Sequence, residues 1–559
     1  MSRMTREAAA QRKEQIMQKN PVTNFMGGIS YRWNPLDTLK IITASSVFGE
    51  PAYYRDGEFE EAAAAKIRDG IFSVSPLFEA FLIPQLKEYS GMKTSQVMEQ
   101  AIDRALDYDF GAVLQWAVTL RRDYRMRLNP QVIMVRAAIH PGREEYTARH
   151  PGAFARINAQ VMSRADEPAS QLAYYLYRQH GKQGIPGILK RSWADRIARM
   201  SRYEIYKYRN SGIGMIDTVR ICHAKGADVD ELMRTGTVQM PQEEKTWESL
   251  RAGGASWQEI LDTVRMGHMA LLRNLRGIFR EIDDREKARQ ILEQLKAGVL
   301  GGKQFPFRYK SAYDAVKEDA SVNFRRMILD ALEECMDIAC DNMPKLSGRT
   351  VCLSDNSGSA WGTVSTAYGS VTIAQIDNLS SVIAARNSEE GIVGKFGDRL
   401  RMVDVSKRNG VLTQAEALSA DGCSDVGGAT ENGIWIFFRD AMEQGVVYDN
   451  IFIYSDQQAG HGGLYGTGEG QQQYREAGYD CKSSCYNTYV DVAKLIDAYR
   501  RKVNPKVNVF TVQTAGYNNV LVPENGYRTS VLYGWTGNEL VYADAINRFW
   551  DEKDREASV

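Results

Sequence analysis

At 559 residues the chain is too long for one ordinary hydrophobic core, so two or more domains are expected. Its 43% hydrophobic and 25% charged content is that of a soluble globular protein, and seven cysteines, an odd number, do not make a disulfide framework. The net charge of zero hides an asymmetry: residues 346–559 carry 19 Lys and Arg against 26 Asp and Glu, which leaves residues 1–345 at +7. A basic half joined to an acidic half points to a polyanionic partner for the first.

In chain order, the first 20 residues, MSRMTREAAAQRKEQIMQKN, form a charged extension without the apolar core of a signal peptide. No stretch of the chain reaches the roughly 18 uninterrupted apolar residues of a membrane helix, so no membrane partner is expected and the cytoplasm is the natural location. From residue 36 to 340 the pattern is helical. In TSQVMEQAIDRALDYDFGAVLQWAVTLRRDY (94–124) and EILDTVRMGHMALLRNLRGIF (259–279) apolar residues recur at helical spacing. Gly, Pro and Asp-Gly breaks separate units of roughly 12–18 residues. No fixed period emerges, so residues 21–345 are expected to form an all-α, irregular array of helix pairs of the solenoid kind.

After MPKLSGR (343–349) the rhythm changes. Short β-type runs at 349–355, 391–405, 449–456 and 506–514 alternate with the helical patterns VTIAQIDNLSSVIAAR, GIWIFFRDAMEQG and DVAKLIDAYRRKV. That alternation predicts an α/β, doubly wound and mostly parallel sheet over residues 346–559, with a ligand crevice at the carboxyl ends of its strands.

The first predicted strand ends in SDNSGS, which sets Asp355, Ser357 and Ser359 at alternating positions. Thr430 stands in DVGGATENG just before a predicted helix, and Asp456 closes the apolar run IFIYSD. Two carboxylates and three hydroxyls make a hard-oxygen set suited to Mg²⁺. So few charges would leave the ion partly hydrated, with room for an outside ligand. Any one of these loops could be a helix cap or turn. Three of them agree.

In type and order these residues resemble the metal-ion-dependent adhesion site of von Willebrand factor A domains. The resemblance implies that Asp355, Ser357, Ser359, Thr430 and Asp456 surround a divalent cation, some through water. Where that family usually shows Gly-Gly-Thr-Asp, this chain has Gly427, Gly428, Ala429, Thr430 and Glu431. In the first half, NFMGGISYRWNPLDTLKIITASSVFGEPAYYR, GIPGILKRSWADRIARMSRYEIYKYRN, IDTVRICH, MALLRNLRGIF and FPFRYKSAYDAV resemble, in order, segments of the TROVE domain of Ro autoantigen proteins. That resemblance implies a bacterial or phage Ro-type ribonucleoprotein component: a monomeric ring of HEAT-like repeats closed by the A-type domain. It further implies binding of Y-like small noncoding RNA and of the ends of misfolded RNA, in RNA quality control or processing. An exoribonuclease, and a protein donating an acidic side chain to the metal, would be further partners.

The residues support an RNA partner independently. Segment 181–209 holds eight basic residues, among them Lys190, Arg191, Arg196, Lys207 and Arg209, interleaved with Tyr203, Tyr206 and Tyr208. Basic groups neutralise phosphates, and aromatic faces stack on unpaired bases. Residues 121–136 add Arg121, Arg122, Arg125, Arg127 and Arg136; residues 273–280 add Arg273, Arg276 and Arg280. His223, in RICH, stands where the TROVE resemblance places a histidine after a basic helix; packing and RNA contact are both open to it.

Other features carry less. Cys481 and Cys485 lack a second ligand pair and read as free thiols. The glycine-rich loop at 459–470 lacks the strand–GxxxxGK–helix context of a phosphate loop. His461 follows Asp456, but no Ser–His–Asp order is present, so no enzyme is expected. Two classes of function therefore stand against each other: an RNA-binding ring, and a metal-dependent protein-binding adaptor on a helical scaffold. A metal-assisted nuclease is a distant third, since no general base accompanies the ion.

Overall fold

The computed structural model describes residues 21–23, 29–31, 35–36, 39–40, 43, 94–123, 126–179, 184–209, 214–239, 246–302, 304, 306–366, 369–428, 431–457, 480–481, 489–514, 521–522, 527–533 and 539–558. The extension 1–20, Thr430 and the glycine-rich loop lie outside them. Two units divide the chain. One holds residues 34–50 and 94–249; the other holds residues 250–559 with the paired strands Pro21–Thr23 and Ile29–Tyr31. The rhythm changes at Leu346 as the sequence suggests, but the last helices before it group with the sheet that follows.

In the first unit the pattern of residues 94–124 resolves into two helices, Thr94–Tyr108 and Phe110–Arg122. Asp109 separates them: its backbone is extended and its Oδ1 accepts the Ala112 N–H at 2.8 Å, capping the second helix. Helices Leu128–Ile139, Arg143–Arg149, Ala153–Val161 and Glu167–Gln179 follow, then α1 (Gly187–Ile197), α2 (Arg202–Tyr208), α3 (Met215–Cys222) and Ala227–Thr235. Each helix touches near neighbours along the chain, burying Leu114, Leu120, Val132, Ile133 and Trp193. Buried amides cross this core. Gln171 donates to Gln131 Oε1 (2.7 Å) and Asn158 Oδ1 (2.8 Å) and accepts from Trp193 Nε1 (2.8 Å). Being paired, these polar groups fix helix register without a large desolvation cost.

The second unit begins with helices that include α4 (His268–Glu281) and α5 (Arg325–Asp341). A six-stranded sheet follows: β1 (Leu346–Asp355), β2 (Ser388–Phe396), β3 (Leu400–Asp404), β4 (Asn450–Ser455), β5 (Asn508–Gln513) and β6 (Thr529–Tyr533), in the order 6-5-4-1-2-3. All neighbours are parallel except β2 and β3. Val351 of β1 is level with Ile392 of β2 on one side and Ile451 of β4 on the other. Successive residues of the central strands point to opposite faces and are buried alike, so both faces are covered: Val351–Leu353, Ile451–Ile453, Val509 and Phe510 are buried. α6 (Ile373–Arg386) packs on β1, β2 and β4, α7 (Val411–Ser419) packs on α6, α8 (Glu431–Gln444) packs on α9 (Val492–Lys502), and α10 (Glu539–Ser558) packs on β5 and β6.

The run at 391–405 is two antiparallel strands rather than one, and β6, α7 and α10 are elements the periodicity did not mark. Strand order reverses between β1 and β4, and the carboxyl ends at such a reversal are where open α/β sheets seat their ligands. α5 locks onto this sheet through the start of α7. Glu333 accepts the Leu412 N–H (2.7 Å), the Thr413 N–H (3.0 Å) and the Thr413 hydroxyl (2.8 Å), and Asp337 accepts the Val411 N–H (3.1 Å). Among the described residues no helix is long and apolar enough to cross a membrane.

Candidate metal centre and nucleic-acid interface

Asp355 closes β1, and Asp456 follows the last residue of β4, so the parallel pairing of these strands brings both carboxylates to the crevice. Both are fully buried. Asp355 Oδ1 accepts the Ser357 N–H at 2.9 Å and its Oδ2 accepts the Ser455 hydroxyl at 2.6 Å. The hydroxyls of Ser357 and Ser359 lie 3.3 Å apart. Ser455 also receives the Gln457 N–H at 2.9 Å, and Gln457 holds a left-handed backbone, φ 55°, directly after Asp456. Such a conformation in a non-glycine residue costs free energy and persists where surrounding bonds enforce it.

The strand-end turn is braced from below. Asn378 of α6 accepts from Ser354 Oγ (2.7 Å) and Asn356 Nδ2 (2.8 Å) and donates to Asn356 Oδ1 (3.1 Å). The segment leading to Thr430 is fixed against the same turn, since the Gly358 N–H donates to Gly428 O at 3.0 Å. Gly427 adopts φ 81°, which lets the Gly428 N–H reach Asp398 Oδ2 at 2.8 Å; a Cβ there would collide with Asp398. Lys395, fully buried on β2, pairs with Asp425 at 2.8 Å, and Arg401 pairs with the same carboxylate. Thr430 itself is outside the described residues, but its approach is anchored beside Ser357.

Burial, and then the charge of Asp456, push the Asp355 carboxyl far above the usual carboxylate range, although its hydrogen bonds to Ser455 and Ser357 act the other way. Asp377 of α6 is raised as well, by burial first and the charge of Asp355 second. Among the described residues no three His, Cys, Asp or Glu side chains converge closely enough to hold a metal between them. A cation here would draw on Asp355, Asp456 and the serine hydroxyls. Ser455, Asn378 and Asp377 escaped the motif-based reading; the signal was the polar run Asp377, Asn378, Ser380 and Ser381 inside an otherwise apolar helical pattern.

The basic residues fall into different settings. On α1, Arg191 is exposed, Lys190 is half-buried, and Arg196 pairs with Glu204 at 3.2 Å. Arg191 lines a groove of about 550 Å³ with Arg143, Phe154 and Asp195. On α2, Lys207 is exposed, its ammonium 5.8 Å from the Tyr203 ring and 5.9 Å from the Tyr208 ring. Arg209 stacks on Tyr206 at 3.9 Å. His223 is exposed at the end of α3, where its left-handed backbone, φ 57°, terminates the helix. In the other unit Arg273, Arg276 and Arg280 are exposed at helical spacing along α4. Arg121 and Arg136 are spent internally, on Glu167 (2.7 Å) and Asp103. Cys485 and His461 lie outside the described residues.

Comparison with known proteins fits this architecture. Residues 230–327 match the TROVE domain. A stretch of 89 residues is 35% identical to telomerase protein component 1 of Rattus norvegicus, covering 15% of this chain and 3% of that protein. A stretch of 92 residues is 34% identical to the Mus musculus protein, covering 15% and 4%. The chain thus spans only a few per cent of the length of these relatives. The crystal structure of the Deinococcus radiodurans RO (RSR) protein superposes with a TM-score of 0.55 at 15% identity, over 80% of this chain and 93% of that one. At that identity the likeness is one of fold: a helix-rich first part and a mixed, mostly parallel sheet in the second. Residues 230–327 thus carry the likeness to the TROVE domain. Together the matches support a Ro-type protein.

Proposed function

We propose that the chain is an RNA-binding, Ro-type ribonucleoprotein component that holds small structured RNAs and the ends of misfolded ones, with a von Willebrand factor A-like domain carrying a divalent cation. The carrying observation is the surface of α2, where exposed Lys207 stands beside Tyr203 and Tyr208 and Arg209 stacks on Tyr206, with Arg191 exposed on α1. Cations beside aromatic faces suit a phosphate backbone running past unpaired bases. The TROVE match over residues 230–327 supports the same reading.

The cation would be held by Asp355, Ser357, Ser359 and Asp456, with Thr430 completing the set, and Mg²⁺ suits these oxygen donors. When bound it supplies a Lewis-acidic position open to an oxygen donor from outside the chain. The protein's own part is to hold Asp355 through Ser455 and Ser357. Sequencing the RNA that copurifies with the intact chain tests the function. A defined set of small structured RNAs is expected; recovery at the level of an unrelated basic protein would favour the adaptor reading instead.

A further inference from the structure

Among the described residues of the second unit, Asp377 is a buried acid set among other acids. It is fully buried on α6, and neither carboxylate oxygen makes a hydrogen bond of normal geometry among the described residues. The hydroxyl of Thr514, just past β5, lies beside it and is likewise buried without such a bond. The charged groups acting on Asp377 are Asp355 and Asp456, both acidic. Its neighbour Asn378 is bonded to Asn356 and Ser354, so the register of α6 against the strand-end turn is fixed. An ionised carboxylate in such surroundings is costly unless something positive or a donor reaches it. Nothing in the packing of this helix requires an acid there: the rest of its buried surface is Ile, Ala, Leu, Val, Ser and Asn, apart from Arg386 at its end.

We propose that Asp377 is an outer-sphere carboxylate of the cation site, accepting from a cation-bound water that Thr514 also contacts. The inference rests on the reading of Asp355, Ser357, Ser359 and Asp456 as cation ligands. An outer-sphere place follows from the geometry, since three acidic side chains do not converge closely enough to coordinate one ion directly. A water between them bonds the two oxygens of Asp377 and the Thr514 hydroxyl together, beyond the one interaction that Thr514 by itself offers Asp377. Such outer groups set the orientation of the inner ligands and the strength of metal binding.

The test is Asp377→Asn in the full-length chain, an isosteric change that removes the charge and leaves the packing. Titration calorimetry with Mg²⁺ and with Mn²⁺ is expected to show affinity reduced about 10–100-fold. Melting in EDTA is expected to move upward, because one of three crowded carboxylates is gone. A purely structural role for Asp377 would lower the melting temperature with and without metal, and that result overturns the proposal. Thr514→Val, which deletes the hydroxyl while keeping the shape, is expected to weaken Mg²⁺ binding in the same direction. Unchanged affinity in Asp377→Asn, alongside loss of binding in Asp355→Ala, would overturn the role of Asp377 and leave the cation site standing. Absence of Mg²⁺ binding in the unsubstituted chain would overturn both.

Discussion

Replacing Asp355 with alanine should remove most of the thermal stabilisation that Mg²⁺ gives this chain. Asp355 is the last residue of β1 and Asp456 follows the last residue of β4, and the two strands are hydrogen-bonded neighbours. Adjacent strands lie ~4.8 Å apart, and the pairing of Ser354 with Tyr454 sets Asp456 one residue beyond the level of Asp355, so the two carboxylates stand on the order of 5 Å apart or more. At an effective dielectric of about 20, two such charges repel by roughly 3 kcal/mol. A divalent cation removes the repulsion, and saturation at about 100 times Kd contributes about 2.7 kcal/mol by mass action. For a unit that spans residues 250–559 this corresponds to about 3–5 °C in Tm. Differential scanning fluorimetry in EDTA and in excess Mg²⁺ measures it, on the unsubstituted chain and on Asp355→Ala. The variant should respond little, while its Tm in EDTA should match or exceed that of the unsubstituted chain. An Mg²⁺ shift of full size in Asp355→Ala would refute the reasoning and place the cation elsewhere.

The same crevice should give the metal-free chain an inverted pH response. Burial and Asp456 raise the Asp355 carboxyl, so its contribution to stability is full below the unfolded value near 4 and is lost as pH rises through the folded one. In EDTA the unsubstituted chain should therefore lose stability relative to Asp355→Asn from about pH 4 upward, and parallel profiles would contradict this. On the helical surface, Lys190→Ala, Arg191→Ala and Lys207→Ala together should weaken RNA binding with the melting curve unchanged. The salt slope should fall by about 0.7–0.9 for each phosphate no longer neutralised, and an unaltered slope would place the RNA elsewhere. A hairpin with a single-stranded 3′ tail should bind more tightly than the same hairpin without it, and equal affinities would mean that the end is not recognised. Glu333→Ala should cost about 1–3 kcal/mol, because it strips acceptors from two N–H groups at the start of α7, and an unchanged chemical-denaturation midpoint would show that water replaces them.

Hydrophobic rhythm alone determined that a helical first part gives way to an alternating strand–helix second part at residue 346, because period 3.6 and buried apolar runs are local properties of a chain. The cation candidates were legible for a similar reason: Asp355, Ser357 and Ser359 lie within five residues, at the end of one strand and in the turn that follows it. Where the period was weak the elements went unseen, as in β6, whose run Thr529–Tyr533 is short, and in the double strand hidden within 391–405. What the chain does with its charges was decided only in three dimensions. Arg121 and Arg136 read as members of a basic cluster, yet each is turned inward onto a carboxylate far away in sequence, whereas Arg191 and Lys207 stay exposed. Ser455 and Asp377 join the crevice only because β4 pairs with β1 and α6 packs across both strands. Long-range pairing brings such residues together, and no spacing along the sequence records it.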